Sequence, residues 1–422
     1  MPHIRDTFLN AIRLGALVLL MRAAIGGEPA WKDGCDTVGN WRPLSGRPTP
    51  ELAGVPEGHL GGAIRVRFFE SSQPQVVGVS VPGGAAWDQA AGLSFWLKGD
   101  GSGEFIGVFV LDETFTQHHV ALVGLSEREW RQVRVRWEDL VPETLGADWL
   151  GQPEGRLTPS GARALWLGRW FYMRPYSRCS FQVDEFRLEE NLVRAPDPQP
   201  ASAGLERTRA RLRAHEPVRI VALGDSITAG ARLDAPQSQS YPAVLQKLLR
   251  RRFGYDGISV LNRGVEGLEA RQAIILLPRD VGAPAPDLAI VHLGYNDNSA
   301  MEERRLEGPA RRRIAARNWT ELVTRLRRAT AGQTEVLLVA TIPGADPLRR
   351  RALDFLGDEA EHTARELRCG FSAGPRAAFH KALEAERPQE LFLRRSDGLL
   401  DPAHPGPAGQ ELLAEALMGA FE

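Results

Sequence analysis

A chain of 422 residues is too long for one ordinary domain and long enough for two substantial cores. A hydrophobic fraction of 43% and a charged fraction of 25% exclude a disordered or fibrous protein. A formal net charge of −1 removes any general attraction to nucleic acid or to acidic membranes.

At the N-terminus, Arg5 and Arg13 precede an apolar stretch from Leu14 to Met21. The small-residue run Ala23-Ala24-Ile25-Gly26-Gly27 follows. This resembles a secretory signal peptide over residues 1–27, with Arg22 interrupting its far end, and it predicts a secreted or periplasmic protein. The apolar stretch is too short for a stable membrane span, which needs about 20 residues, and no later run qualifies.

Residues 28–194 hold nine of the ten Trp. Short segments of alternating polarity fill this half: Ala63 to Phe69, Leu93 to Leu97, Phe105 to Leu111, Trp130 to Trp137 and Phe181 to Leu188. In WRQVRVRW, Val133, Val135 and Trp137 face one way and Arg134 and Arg136 the other. Period-two runs separated by Gly, Pro and Asp clusters predict an antiparallel β-sandwich. Most Trp in a sandwich belong to its core; Trp87, Trp149 and Trp170 fall in or near predicted loops and are the ones expected at the surface. His118-His119 are neighbours on one strand and point to opposite faces, so a structural role is expected rather than a metal pair. Cys35 and Cys179 lie near the two ends of this half. They either pair across neighbouring first and last strands, as export would permit, or remain buried thiols. Cys369 has no evident partner and reads as structural.

The run Ala195-Pro196-Asp197-Pro198-Gln199-Pro200 cannot hold a helix or a central strand. Residues 195–215 are expected to be a Pro-rich spacer with a short lead-in helix near Leu205 to Leu212. From 216 to 422 the pattern becomes strand, loop, helix. Strands are predicted at Val218 to Leu223, Ile258 to Leu261, Leu288 to Leu293 and Val336 to Ala340, and helices at Tyr241 to Phe253, Ile314 to Leu326 and Pro407 to Met418. That alternation implies a parallel sheet covered on both faces, with the site at the carboxyl ends of its strands.

Four stretches sit at such ends or near the chain's end: Gly224-Asp225-Ser226-Ile227-Thr228, Asn262-Arg263-Gly264-Val265-Glu266-Gly267, Gly294-Tyr295-Asn296-Asp297 and Asp401-Pro402-Ala403-His404-Pro405. Together they supply what acyl transfer needs. Ser226 is a weak nucleophile until a base takes its proton, His404 is the candidate base, and Asp401 would orient the imidazole and stabilise its charged form. The backbone N–H groups of Ser226 and Gly264 and the side-chain amide of Asn296 are the candidate oxyanion donors.

These blocks resemble the SGNH, or GDSL, hydrolase superfamily, whose Ser, Gly, Asn and His fall on Ser226, Gly264, Asn296 and His404, with its Asp on Asp401. The resemblance covers roughly residues 216–422 and implies a three-layer α/β/α fold with a parallel, flavodoxin-like sheet. It also implies a serine esterase that needs no metal or organic cofactor. The family's last block often reads D-G-L-H-P; here no His follows Asp397-Gly398-Leu399 at that spacing, so Asp401 is assigned and Asp397 is the fallback. Tyr295 and Asn298 are candidates for lining the substrate pocket or for plain loop positions. The first half resembles galactose-binding-like jelly-roll modules through LSFWLKGD, WRQVRVRWEDL and FQVDEFRL. Some of those modules hold a structural calcium, for which Asp184 and Glu185 are the residues to inspect. The jelly roll points to an O-acetylated carbohydrate as substrate, with a lipid or short-chain ester, or a lysophospholipid, as the second choice. A scaffold with an inactive esterase half is the reading from another class. A small-molecule or glycan ester is thus the expected partner, with no nucleic acid.

Overall fold

A computed structural model describes residues 31–113, 118–143, 157–385 and 388–422, apart from the side chains of 347–352. The export segment and Trp149 lie outside the described residues. The chain divides into two compact units, Met1–Ala195 and Pro196–Glu422.

The first unit is a jelly-roll sandwich of two antiparallel sheets. Its strands in chain order are β1 (Lys32–Asp33), β2 (Arg42–Ser45), β3 (Glu51–Val55), β4 (Ala63–Phe68), β5 (Gln75–Ser80) and β6 (Gly92–Lys98), followed by β7 (Phe105–Asp112), β8 (His118–Gly124), β9 (Arg131–Arg136), β10 (Val141–Pro142), β11 (Ala162–Arg169) and β12 (Cys179–Glu189). One sheet runs β3-β4-β12-β6-β9 with β1 added on β12, and the other runs β10-β8-β7-β11-β5-β2. Inward residues of both sheets, among them Ile64, Phe95, Val108, Leu165 and Phe181, form one core.

The two sheets differ in how they present to solvent. β4 and β9 of the first sheet alternate buried and open positions, as a one-sided sheet must. Strands β5, β7 and β11 of the second are buried along nearly their whole length. Their outer face is also covered: Trp166 and Phe109 each lie near Trp170, and His118 sits among all three rings. His118 Nδ1 lies 2.7 Å from Glu143 Oε2, a structural pairing of the kind expected for this residue.

One expectation for this unit fails. Trp87 and Trp170 are buried, Trp87 stacking on Trp137 at a ring distance of 5.5 Å, while Trp31, Trp96, Trp130 and Trp137 are part-exposed. A predicted loop position thus says little about a ring large enough to fold back on the core. Cys35 and Cys179 are both buried free thiols. Burial, with Asp33 and Asp184 nearby, pushes the Cys35 thiol up, and burial pushes Cys179 up to about 12. Cys369 is also free.

The second unit is a three-layer α/β/α domain. Its parallel sheet has the order β14 (Ile258–Gly264), β13 (Val218–Gly224), β15 (Leu288–His292), β16 (Glu335–Val339), β17 (Gly370–Ser372). The main helices are α1 (Glu206–Arg213), α2 (Ser226–Ala229), α3 (Tyr241–Phe253), α4 (Ala270–Leu277), α5 (Tyr295–Glu303), α6 (Gly308–Ala329), α7 (Pro347–Glu366), α8 (Gly374–Glu384) and α9 (Pro407–Leu417). A hairpin, β18 (Phe392–Arg394) and β19 (Leu400–Pro405), precedes α9. β15 and β16 are buried at every position, which is why they read as continuous apolar runs.

The stretch expected to be a spacer is built into this second unit. Ala201 N–H donates to Gly332 O at 3.0 Å, and Gly204 N–H to Arg368 O at 3.2 Å. The buried carboxylate of Glu335 accepts from Arg207 N at 2.9 Å, from Thr208 N at 2.7 Å and from the Ser202 hydroxyl. It thereby satisfies first-turn N–H groups that α1 cannot pair within itself.

Candidate active site

The carboxyl ends of β13, β14 and β15 meet at one edge of the sheet. β13 ends at Gly224, where a Cβ would come within 1.9 Å of Thr228 Oγ1, so only glycine lets α2 fold back onto the strand. Asp225 caps α2 by accepting the Ile227 N–H at 2.9 Å, and Gly230, at φ 72°, ends it. Ser226 is the first residue of this one-turn helix. It is part-exposed, whereas Asp225, Ile227 and Thr228 are buried. Gln410, buried on α9, locks the turn: its Nε2 donates to Ile227 O at 3.0 Å and its Oε1 accepts from Tyr241 N at 2.8 Å.

The last hairpin brings the other partners. His404 Nε2 lies 3.0 Å from Ser226 Oγ, and His404 Nδ1 lies 2.9 Å from Asp401 Oδ1. The same oxygen accepts the backbone N–H groups of Ala403 at 2.9 Å and His404 at 3.0 Å. Asp401 Oδ2 pairs with Arg232 Nη1. Burial alone would raise the Asp401 pKa, but the two backbone donors and His404 outweigh it and hold the carboxyl below its ordinary value. Asp397 stands exposed in the hairpin turn, bonded to Arg395 and to Leu399 N, while Asp401 is the carboxylate that reaches His404. The geometry therefore brings together a hydroxyl, an imidazole and a carboxylate in the arrangement that moves a proton off the serine.

The oxyanion side differs in part from expectation. Gly294, at φ 121°, turns the chain into α5, whose second residue is Asn296. Asn296 is part-exposed between buried Tyr295 and Asp297, and its Nδ2 donates to Leu268 O at 3.1 Å, which leaves a second amide hydrogen for a ligand. Gly264 does not offer its N–H. That group donates to Asn262 Oδ1 at 2.9 Å, and Asn262 Nδ2 in turn holds Thr228 O at 2.8 Å. Gly264 is needed for packing instead, since a Cβ there would lie 2.1 Å from Ala229 N. Three residues on, Gly267 has φ 75° and its N–H meets no acceptor among the described residues. It adjoins Leu268, whose carbonyl holds Asn296. The sequence signal for it was the second glycine of Asn262-Arg263-Gly264-Val265-Glu266-Gly267, which cannot be ranked against the first without the hydrogen bonds.

Tyr295 and Asn298 are both buried and hydrogen-bonded within the protein. Tyr295 is buried and its hydroxyl donates to Pro402 O at 3.3 Å, tying α5 to the loop that carries Asp401 and His404. Asn298 is buried, with Nδ2 on Glu302 Oε1 at 2.9 Å. Beneath the site lie buried groups that sequence reasoning did not single out. Burial pushes Asp225 up to about 7, with Asp297 adding repulsion, and pushes Asp297 up to about 6. Burial pushes His292 down to about 4, which keeps it neutral.

At Asp184 and Glu185, the residues named for a calcium, Asp184 Oδ1 is buried without a hydrogen-bond partner among the described residues. Among the described residues no group of three or more His, Cys, Asp or Glu could hold a metal ion. Asp184 Oδ2 instead caps a turn, accepting from His59 N at 2.7 Å and Leu60 N at 2.9 Å. No described helix is long and apolar enough to cross a membrane.

The sequence profile of the GDSL-like Lipase/Acylhydrolase family matches residues 222–412. A search of curated proteins finds no match. Among solved structures, the chain is similar to LAE5, an alpha/beta hydrolase enzyme from the metagenome of Lake Arreo, Spain, at 24% identity and a TM-score of 0.41. It is likewise similar to Axe2, an acetylxylan esterase from Geobacillus stearothermophilus, at 23% identity and a TM-score of 0.40. Each alignment covers 48% of this chain and 94% of the other. The second unit of this chain carries a domain of the GDSL-like lipase/acylhydrolase family, a carboxylic ester hydrolase domain.

Proposed function

We propose that this esterase hydrolyses an O-acetyl group on a carbohydrate, with Ser226 as nucleophile, His404 as base and Asp401 as its orienting acid. The observation that carries the assignment of roles is the single imidazole bonded at 3.0 Å to Ser226 Oγ and at 2.9 Å to Asp401 Oδ1. Ser226 Oγ attacks the ester carbonyl while His404 Nε2 takes the hydroxyl proton. The tetrahedral oxyanion is met by the Asn296 amide and the N–H groups of Ser226 and Gly267. His404 then returns the proton to the leaving alcohol, and the acyl-Ser226 ester is hydrolysed by water through the same steps in reverse order. The carbohydrate assignment rests on the neighbouring jelly roll and on its part-exposed Trp96 and Trp130, rings of the kind that stack on sugars.

Two measurements test this. Ser226→Ala should abolish hydrolysis of a chromogenic acetate and labelling by a fluorophosphonate; full activity or labelling in that variant overturns the roles, and an unlabelled wild type favours an inactive scaffold. A panel of acetylated sugars and of short-chain and long-chain esters should give the highest kcat/KM for acetylated sugars, and preference for long acyl chains would favour a lipid ester. We also propose export of the protein, which N-terminal sequencing of secreted material checks; an intact Met1 on cytosolic protein refutes it.

A further inference from the structure

The loop after α2 contains a residue that the proposed chemistry has not used. Arg232 lies six positions beyond Ser226 and has φ 67°, a conformation that a residue with a side chain seldom adopts. The turn before it is fixed by hydrogen bonds: Ala231 N–H donates to Ser226 O at 3.0 Å and Leu233 N–H to Gly230 O at 3.2 Å. From this turn the Arg232 guanidinium reaches Asp401 Oδ2. The Asp401 side chain is 2% exposed, and no other described group donates to Oδ2. All other donors, the two backbone N–H groups and His404 Nδ1, converge on Oδ1.

We propose that Arg232 is a positioning residue for ester hydrolysis: by holding Oδ2 it fixes the rotation of the Asp401 carboxylate, so that Oδ1 stays on His404. This rests on the assignment of Ser226, His404 and Asp401 given above. The nucleophile and the clamp on its acid lie six residues apart, so the strand-end segment that presents Ser226 also reaches the acid of the last hairpin. Without the guanidinium, Oδ2 becomes a buried carboxylate oxygen with no partner, and the carboxyl gains freedom to swing. The Arg232 side chain is 58% exposed, so solvent shares its charge and the effect is moderate rather than absolute.

The test compares Arg232→Ala, Arg232→Lys and wild type on a chromogenic acetate, with rates normalised to the active sites titrated by a fluorophosphonate. Ser226→Ala is run beside them. Arg232→Ala should lower kcat about tenfold with KM changed less than about twofold, since only one charge-assisted hydrogen bond is lost. Arg232→Lys should recover at least about half of the loss, because an ammonium can still donate to Oδ2, and free guanidinium should partly rescue Arg232→Ala. Normalisation removes any contribution from misfolded protein. An unchanged kcat per titrated site overturns the proposal. So does a loss carried by KM alone, which would make Arg232 a substrate contact. If Ser226→Ala keeps its activity, the assignment of the nucleophile fails first and the proposal falls with it.

Discussion

Replacing Asp401 by Asn offers a sharp test of the site, because the structure fixes how the amide must sit. Three donors point at Oδ1: Ala403 N–H, His404 N–H and His404 Nδ1. Placing the amide NH₂ there would set it against two backbone donors that cannot move away, so the amide oxygen takes that position and the NH₂ faces Arg232, whose exposed guanidinium gives up its bond and turns to solvent. The imidazole then keeps its proton on Nδ1 and its lone pair on Ser226, and only the negative charge is lost. In a serine protease whose amide turns the other way, the wrong tautomer costs about 10⁴-fold. Here the loss is that of one charge beside a developing imidazolium. At an effective dielectric of about 20 such a pair is worth several kcal/mol, and the Arg232 charge on the other oxygen already offsets part of it. We expect about 3–4 kcal/mol, a fall in kcat/KM of about 10²–10³-fold, with Tm nearly unchanged. Asp401→Ala should fall further and lose stability, because three donors would face a void. The assay is chromogenic acetate hydrolysis per titrated active site. A loss of about 10⁴-fold or more in Asp401→Asn with normal Tm would show that the amide turned, and activity within about threefold of wild type would remove Asp401 from the machinery.

Three further outcomes follow from the same coordinates. Asn296→Ala should cost about 10²–10³ in kcat, as loss of one oxyanion donor does, with little change in KM; a KM effect alone would make Asn296 a ground-state contact. Asp225 is an acid whose folded pKa, about 7, lies above its ordinary 3.8, so the folded state favours its protonated form. That stabilisation is complete below about pH 4 and is lost as pH rises through 7. Between pH 5 and 8 roughly 2–3 kcal/mol should disappear, or on the order of 5–10 °C in Tm. Asp225→Asn, which can still accept the Ile227 N–H, should flatten this fall, and equal slopes in thermal melts of the two proteins would refute the assignment. Lastly, a thiol reagent should leave Cys35 and Cys179 unmodified until the protein is denatured, and reductant should not lower Tm; a reductant-sensitive melt would mean that they pair.

The second unit was legible because its sheet is buried on both faces. Apolar runs such as Val218 to Leu223 and Leu288 to Leu293 stand out, and the strand ends then carry the reactive blocks. The sequence pattern gives no helix at α4, α5, α7 or α8, and it misses the short β17 and the β18–β19 hairpin. The sandwich divides in the same way. Its one-sided sheet announced β4, β9 and β12 by alternation, whereas β5 and β11, covered on both faces, show none. In the site, residue type and spacing singled out Ser226, His404 and Asp401, which the fold joins by hydrogen bonds through His404. They could not rank Gly264 against Gly267, because that choice depends on where the Asn262 side chain turns. Nor could they foresee that Tyr295 spends its hydroxyl on Pro402, or that Arg232 reaches a carboxylate 169 residues away.

The buried Glu335 also has a meaning for how such domains are exchanged between genes. A recombination joint placed at residue 216, where the first strand is about to begin, would leave its carboxylate in the interior without Ser202, Arg207 and Thr208. An uncompensated buried charge of that kind costs several kcal/mol, a large part of a domain's entire stability. The portable module therefore starts at the Pro-rich run, and the twenty residues that look dispensable travel with the enzyme. A new neighbour can be joined ahead of Pro196, but a joint inside that stretch uncovers the amino end of β16.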